Sequence, residues 1–172
     1  LETQLENYLP TAEGIVLHGE DPVGSAEEVI ITGNQLRRFI RGVRVSGYMQ
    51  NNTVEGASHI VVSNNSIKEI SEARADAPYS EDNPYGTNQG ILFAYTDQGT
   101  ATGNNLHTIG VRLNAGGVPA PAGDQDYYGI GIHAWFCRST TITNNSIHNL
   151  YCHKGNATTG QPFNMGIYLA NS

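Results

Sequence analysis

Two patterns of apolar and polar residues alternate along the chain. The first is a nine-residue segment with a small apolar residue at its first position, Ser or Thr at the second, Gly or Asn at the third and Asn at the fourth. Its sixth position is Leu or Ile, and its ninth is Phe, Ile or Leu. The segment occurs at residues 31–39, 62–70, 101–109 and 142–150. Such recurrence indicates a repeat architecture.

The second pattern is a Gly followed by apolar residues at alternate positions. Successive side chains of a strand point to opposite faces, so this pattern predicts a half-buried β-strand. One pair of patterns is too short to bury its own apolar face, so we expect successive pairs to stack in register. The strands begin at Gly14, Gly42, Gly90, Gly129 and Gly166. The expected interior columns are Leu36, Ile67, Leu106 and Ile147, and Phe39, Ile70, Ile109 and Leu150.

The fourth position of the nine-residue segment is Asn in every copy, at Asn34, Asn65, Asn104 and Asn145. Asn tolerates the left-handed backbone region, so we expect these residues to form a bend. Identical amides about 4.8 Å apart can also hydrogen-bond to one another along a stack. The sequence therefore predicts a single column of four Asn residues, an Asn ladder.

These residues resemble the right-handed parallel β-helix of the pectate-lyase-like superfamily, whose members carry an Asn ladder and a Gly-Ile-x-Ile strand of this kind. The resemblance covers about residues 14–170 and implies an all-β solenoid of about four to five coils. We expect residues 1–13 to form an N-terminal lead or cap and residues 14–172 to form the β-helix domain. The superfamily includes polysaccharide lyases, glycoside hydrolases, uronan epimerases and phage tailspike depolymerases, so the resemblance specifies the fold and not the reaction.

The chain ends on a predicted strand without a polar cap, which would expose unpaired backbone groups and apolar columns. We therefore expect a fragment of a longer helix, or an open end that is covered by a further chain, as in a homotrimer.

Charge and composition narrow the classes of partner. The net charge of −7 provides no general attraction for nucleic acid, and we expect no nucleic-acid partner. The chain lacks an apolar stretch of about 18 residues, so it predicts no membrane span. Cys137 and Cys152 have no neighbouring ligands at metal-site spacing, and we expect no protein metal site from them. They can form a disulfide or remain two buried thiols, and the second reading is favoured.

A basic column is predicted three residues after the Asn ladder, and it consists of Arg37, Lys68, His107 and His148. An acidic polysaccharide that runs along the stack would meet a cation at every repeat. The alternative is a solvent-facing position that is basic four times without a function. Three further residues are candidates for substrate contact, Arg44 and the aromatic residues Tyr85 and Trp135, because rings can stack on the apolar faces of sugars.

Long insertions at about residues 71–89, 110–128 and 151–165 leave from one edge of the predicted stack and would wall a groove. His133 follows the second insertion and is the best single candidate for a general base, oriented by Asp124 or Asp126 and assisted by Tyr128. His18 is aligned with His133 in the Gly pattern, so simple tolerance for His at that corner is the alternative reading.

We therefore expect a carbohydrate-active protein that binds and cleaves an extracellular, acidic polysaccharide by β-elimination or hydrolysis. The alternative is a non-catalytic β-helix shaft or adhesin that binds glycans or has a structural role. The cofactor is undetermined, and calcium is an expectation of the family resemblance only, because the sequence has no Asp-rich calcium loop. The expected location is extracellular or on a virion.

Overall fold

The computed structural model describes residues 13–19, 24–70, 88–110, 129–151 and 164–170. Within these ranges the chain forms strands, turns and bends and no helix, so the all-β class is confirmed. It follows that none of the described residues forms a helix long and apolar enough to cross a bilayer. The predicted N-terminal lead, apart from Glu13, and most of the three long insertions lie outside the described residues.

Most strands belong to three parallel sheets. Sheet 1 contains, in spatial order, β1 (Glu13–His18), β5 (Arg41–Ser46), β11 (Asn88–Ala94), β14 (Gly129–Trp135) and β17 (Asn164–Ala170). Sheet 2 contains β3 (Ile30–Thr32), β9 (Val61–Ser63), β12 (Thr100–Thr102) and β15 (Thr141–Thr143). Sheet 3 contains β4 (Gln35–Arg37), β10 (Ser66–Ile70), β13 (Asn105–Ile109) and β16 (Ser146–Leu150).

The chain visits sheet 1, sheet 2 and sheet 3 in turn, and each visit adds a strand beside the one laid down on the previous visit. Two smaller pairs complete the described strands. The first is the parallel pair β2 (Ala26–Glu27) and β8 (Ala57–Ser58). The second is the antiparallel hairpin β6 (Tyr48–Gln50) and β7 (Thr53–Glu55), which the sequence patterns did not predict.

The predicted interior columns are confirmed by the register of sheet 3. Ile67 pairs with Leu36 on one side and with Leu106 on the other, and all three are buried. Ile70 pairs with Ile109 in the next column. These side chains belong to one core cluster with the inward residues of sheets 1 and 2. The apolar positions of the repeats therefore meet in a common interior.

The Asn ladder is confirmed as a continuous chain of hydrogen bonds. The side-chain amide nitrogen of Asn65 donates to Oδ1 of Asn104 at 3.0 Å, and that of Asn104 donates to Oδ1 of Asn145 at 2.9 Å. The same Oδ1 atoms accept from the backbone N–H groups of Asn65 and Asn104. Asn34 donates to Asn65 in the same way at 3.0 Å. Each buried amide is thus satisfied by the repeat next to it.

The expectation that the ladder residues adopt left-handed backbone conformations is wrong. The left-handed residue is the one immediately before each ladder Asn: Gly33, Asn64, Gly103 and Asn144, with φ values of 71°, 54°, 65° and 55°. This residue makes the bend, and the following Asn turns its side chain inward to reach its neighbours. Gly and Asn alternate at the third position because both tolerate positive φ.

The glycine column also differs from the sequence alignment. Ile91 pairs with Ile132, so Gly90 is aligned with Gly131 and not with Gly129. A Cβ atom on Gly131 would lie 2.5 Å from Ile147 Cγ2, and one on Gly42 would lie 2.4 Å from Ile67 Cγ2. The glycines therefore leave room for the Leu and Ile column of sheet 3. The sequence Gly-Ile-Gly-Ile is compatible with either alignment, and only the packing distinguishes them.

Candidate functional site

The predicted basic column lies on the outer face of sheet 3. Lys68 pairs in register with Arg37 and His107, and His107 pairs with His148. These residues alternate with the buried Ile67 and Leu106, so their side chains point away from the core. The structure therefore brings all four predicted residues into one column.

One end of this column is partly neutralised by an acidic residue that the sequence analysis did not select. Glu69 forms ion pairs with Arg37 at 2.8 Å and with Arg38 at 3.1 Å. Burial alone raises the pKa of the Glu69 carboxyl, but the hydrogen bonds and charges of the two arginines outweigh this effect and lower it. The Glu69 carboxylate therefore reduces the positive charge that Arg37 can offer to a ligand.

The imidazoles of His107 and His148 stack face to face, with centroids 5.2 Å apart and planes 8° apart. Partial burial is the largest cause that lowers the pKa of His107, followed by the positive charges of His148 and Lys68, while Glu69 opposes them. His107 is therefore mainly neutral at pH 7 and gains its charge in acid. An anion bound across this pair would favour the protonated form.

A second outward column lies two residues before the basic column and was missed by the sequence analysis. Its members are uncharged hydrogen-bonding residues that are half-buried or exposed. They are Gln35, Ser66, Asn105 and Ser146, and they pair in register. Because their side chains share a face with the basic residues, sheet 3 presents hydroxyl and amide groups beside cations.

His133 lies elsewhere, on the outer face of sheet 1. It pairs with Leu92 and Tyr168, not with the strand position of His18, so the sequence alignment of the two histidines is wrong by two residues. Only 1% of His133 is exposed, and its Nδ1 contacts the Gln89 amide nitrogen at 2.9 Å. Its burial lowers the pKa of the imidazole to about 4. Asp124, Asp126 and Tyr128, its expected partners, lie outside the described residues.

The low pKa of His133 predicts a loss of stability in acid. Between pH 6.5 and about 4 the unfolded state binds a proton at this residue and the folded state does not, so stability falls as the pH falls through this window. The expected loss from His133 is roughly 3 kcal/mol. We expect His133→Leu to flatten the dependence of unfolding free energy on pH by about one proton, because Leu92 occupies the same column. Urea unfolding at a series of pH values measures the difference, and parallel profiles for the two proteins would contradict the assignment.

Of the remaining predicted contact residues, two lie on sheet 1 and one lies outside the described residues. Arg44 lies on the outer face of sheet 1, where its Nη1 approaches Glu13 at 3.2 Å. Trp135 is 5% exposed and packs edge-on against Tyr95, with centroids 4.8 Å apart, so its ring is not an open platform for a sugar. Tyr85 lies outside the described residues.

A pocket of about 290 Å³ beside the β6–β7 hairpin was also missed by the sequence analysis. Three carboxylates line it, those of Glu27, Glu55 and Asp97, and Tyr48 forms one wall. Asp97 forms an ion pair with Arg138 at 3.2 Å, and the Tyr48 hydroxyl donates to Glu55 at 3.4 Å. Sequence offers little signal for this pocket because these residues belong to no repeated column.

Candidate metal ligands and one cysteine thiol lie in the described part of the chain. There, no three His, Cys, Asp or Glu side chains are grouped so that they could hold a metal ion, and calcium remains an expectation of the resemblance. Cys137 is a buried free thiol, as the favoured reading expected. Burial raises the pKa of this thiol, which makes it a weak nucleophile at neutral pH. Cys152 lies outside the described residues.

Comparison of the chain with protein-family models, with curated proteins and with solved structures finds no match. The function of the protein is therefore inferred from the geometry of sheet 3 and of the carboxylate-lined pocket.

Proposed function

We propose that the protein is a right-handed parallel β-helix that binds an extended acidic polysaccharide along the outer face of sheet 3. Three features support the β-helix: the repeated visit to three parallel sheets, the in-register columns and the Asn ladder. The right hand is an expectation of the family resemblance and of the handedness of parallel crossovers in general.

The observation that supports the binding function is the in-register column of Lys68, His107 and His148 beside the uncharged polar column. Neighbouring strands are about 4.8 Å apart, so basic side chains recur at that interval along the stack. A polymer with regularly spaced carboxylates can bind these side chains while its hydroxyl groups bond to Ser66 and Asn105.

We expect the double variant Lys68→Ala/His148→Ala to weaken binding of polygalacturonate about tenfold, since it removes the half-buried amine and the exposed imidazole from the column. Wild-type affinity should rise as the pH falls below 7, because the pKa of His107 is lowered and its protonation adds a charge to the column. Affinity should also fall with added salt. Titration calorimetry at two pH values and two salt concentrations measures all three effects.

Arg138→Ala is the matched control, because Arg138 is a surface cation on a different part of the molecule and is 57% exposed at its side chain. It should leave polygalacturonate affinity unchanged, and neutral dextran should not bind wild type. Equal losses in Arg138→Ala and in the double variant would show that binding reflects general charge and would overturn the proposal.

Cleavage is the second candidate function, and the pocket with Glu27, Glu55 and Asp97 favours hydrolysis over β-elimination. Hydrolysis of a glycosidic bond requires a carboxylic acid and a carboxylate on opposite sides of the bond. The same polygalacturonate samples, and neutral polysaccharides beside them, can be assayed after incubation. Plain reducing ends would support hydrolysis, and unsaturated ends would support elimination. Unchanged polymer would indicate a shaft that binds the polysaccharide without cleaving it.

We also propose that a partner covers the exposed edge of sheet 1. Edge strand β17 exposes Ile167 and Leu169 by 49% and 58%, which supports packing of a further chain or of a second copy against it. An extracellular or virion-associated location, where such polymers occur, stays a prediction.

A further inference from the structure

Three side chains on the outer face of sheet 1 form a buried relay. Arg41 donates from Nε to Oε1 of Gln89 at 2.9 Å, and Nε2 of Gln89 lies 2.9 Å from Nδ1 of His133. The three residues are at most 5% exposed. Arg41 is itself held by an ion pair with Glu13. The relay therefore joins three strands of sheet 1 through polar side chains.

The relay determines which nitrogen of His133 carries the proton. A guanidinium group can only donate, so Arg41 requires the oxygen of the Gln89 amide to face it. The amide nitrogen must then face His133, and it also donates. Nδ1 of His133 therefore accepts, which places the proton of the neutral imidazole on Nε2.

This arrangement leaves a buried hydrogen-bond donor unused. Nε2 of His133 is buried and has no hydrogen-bond partner among the residues described. A buried unsatisfied donor destabilises a fold by about 1–3 kcal/mol, and a catalytic role or a bound water or ion is among the explanations for such a group in a native protein. The Tyr168 ring packs on the imidazole, with centroids 4.9 Å apart, and restricts its rotation. The donor is therefore held in one direction.

We propose that Nε2–H of His133 anchors a small ligand that carries an oxygen acceptor, and that Arg41 and Gln89 are positioning residues for this donor. The low pKa of His133 agrees with this assignment, because a second proton would have to point from Nδ1 at the amide nitrogen of Gln89. A neutral N–H group can donate to either a carboxylate or a carbonyl oxygen. This site is separate from the glycan face of sheet 3 and does not rest on the proposed polysaccharide function.

The test is nitrogen NMR on protein labelled with ¹⁵N-histidine. We expect His133 to show a protonated Nε2 and an unprotonated Nδ1 at pH 7. Acetate and acetamide are the probes for a charged and a neutral acceptor, and at least one should shift the His133 Nε2 resonance saturably. The probe that binds identifies the chemistry of the acceptor.

Gln89→Glu is the matched variant, because it keeps the shape of the side chain and replaces the donor at His133 with an acceptor. We expect the proton of His133 to move to Nδ1, the pKa to rise and the response of Nε2 to both probes to disappear. Gln89→Met removes the donor without adding charge and serves if Gln89→Glu does not fold. A protonated Nδ1 in wild type would overturn the relay. An Nε2 that responds to neither probe would contradict the ligand site.

Discussion

Gly90→Ala is expected to destabilise the protein by about 3 kcal/mol or more, or to prevent folding. A Cβ atom at this position would lie 2.3 Å from Leu106 Cδ2 and 2.7 Å from the carbonyl oxygen of Gly131. The Leu106 side chain could shift, but the Gly131 oxygen belongs to the backbone of the neighbouring strand. Relief of the contact would separate β11 from β14. Thermal and urea unfolding measure the loss.

Gly166→Ala is the matched control in the same glycine column. A Cβ atom on Gly166 meets nothing within 4 Å, and its backbone does not have positive φ. We expect no loss, and a gain of up to about 1 kcal/mol, because Ala restricts the unfolded chain more than Gly does. Similar losses at both positions would contradict the steric explanation of the column.

Asn104→Ala is expected to lower the free energy of unfolding by about 3–5 kcal/mol. Oδ1 of Asn104 accepts from the backbone N–H of Asn65 at 3.0 Å, and its Nδ2 donates to the carbonyl oxygen of Val62 at 2.9 Å. The variant leaves both backbone groups buried without these partners, and each such group costs about 1–3 kcal/mol. Urea unfolding with tryptophan fluorescence measures the change, since the chain has one Trp.

Two controls test whether the loss belongs to the ladder. Asn34→Ala removes an end member that is only partly buried, so we expect a loss of about 1 kcal/mol. Asn144→Gly changes the exposed bend residue with φ of 55°, and we expect it to be neutral within about 0.5 kcal/mol. If Asn104→Ala were no worse than Asn144→Gly, the amide column would not contribute to stability.

The nine-residue segment predicted the columns of sheet 3 because each copy has the same short pattern of residues at the same positions. An inward Asn, Leu or Ile at fixed positions has the same neighbours in each repeat, so Asn65, Ile67 and Ile70 could be assigned to columns from spacing alone. The pairing of Lys68 with His107 followed from the same register. The same register predicted the basic column on the outer face of sheet 3, because side chains alternate between the two faces of a strand.

Other bends were not predictable from composition. Left-handed residues recur five positions before and after the third-position bend, at φ between 53° and 63°. Ordinary side chains occupy these two sets of positions and provide no local signal. They are Glu28, His59, Gln98 and Ser139, and Arg38, Glu69, Thr108 and Asn149.

The site was predicted only in part. Arg37, Lys68, His107 and His148 were placed together, whereas His133 was assigned to the wrong column and contacts the Gln89 amide. Its predicted carboxylate partners lie outside the described residues and stay a prediction. The effect of Glu69 on the arginines was missed because it depends on side-chain directions across two strands. The carboxylates of Glu27, Glu55 and Asp97 meet only through the tertiary structure.

By itself, the sequence determined the all-β class, the columns of sheet 3 and the Asn ladder, because each depends on a short pattern that is repeated with the same spacing. Only the tertiary structure decided the glycine alignment, the burial of His133 and the direction of its free N–H. These depend on which atoms of distant segments come into contact, and a shift of two residues preserves the alternation of a strand while it changes every such contact.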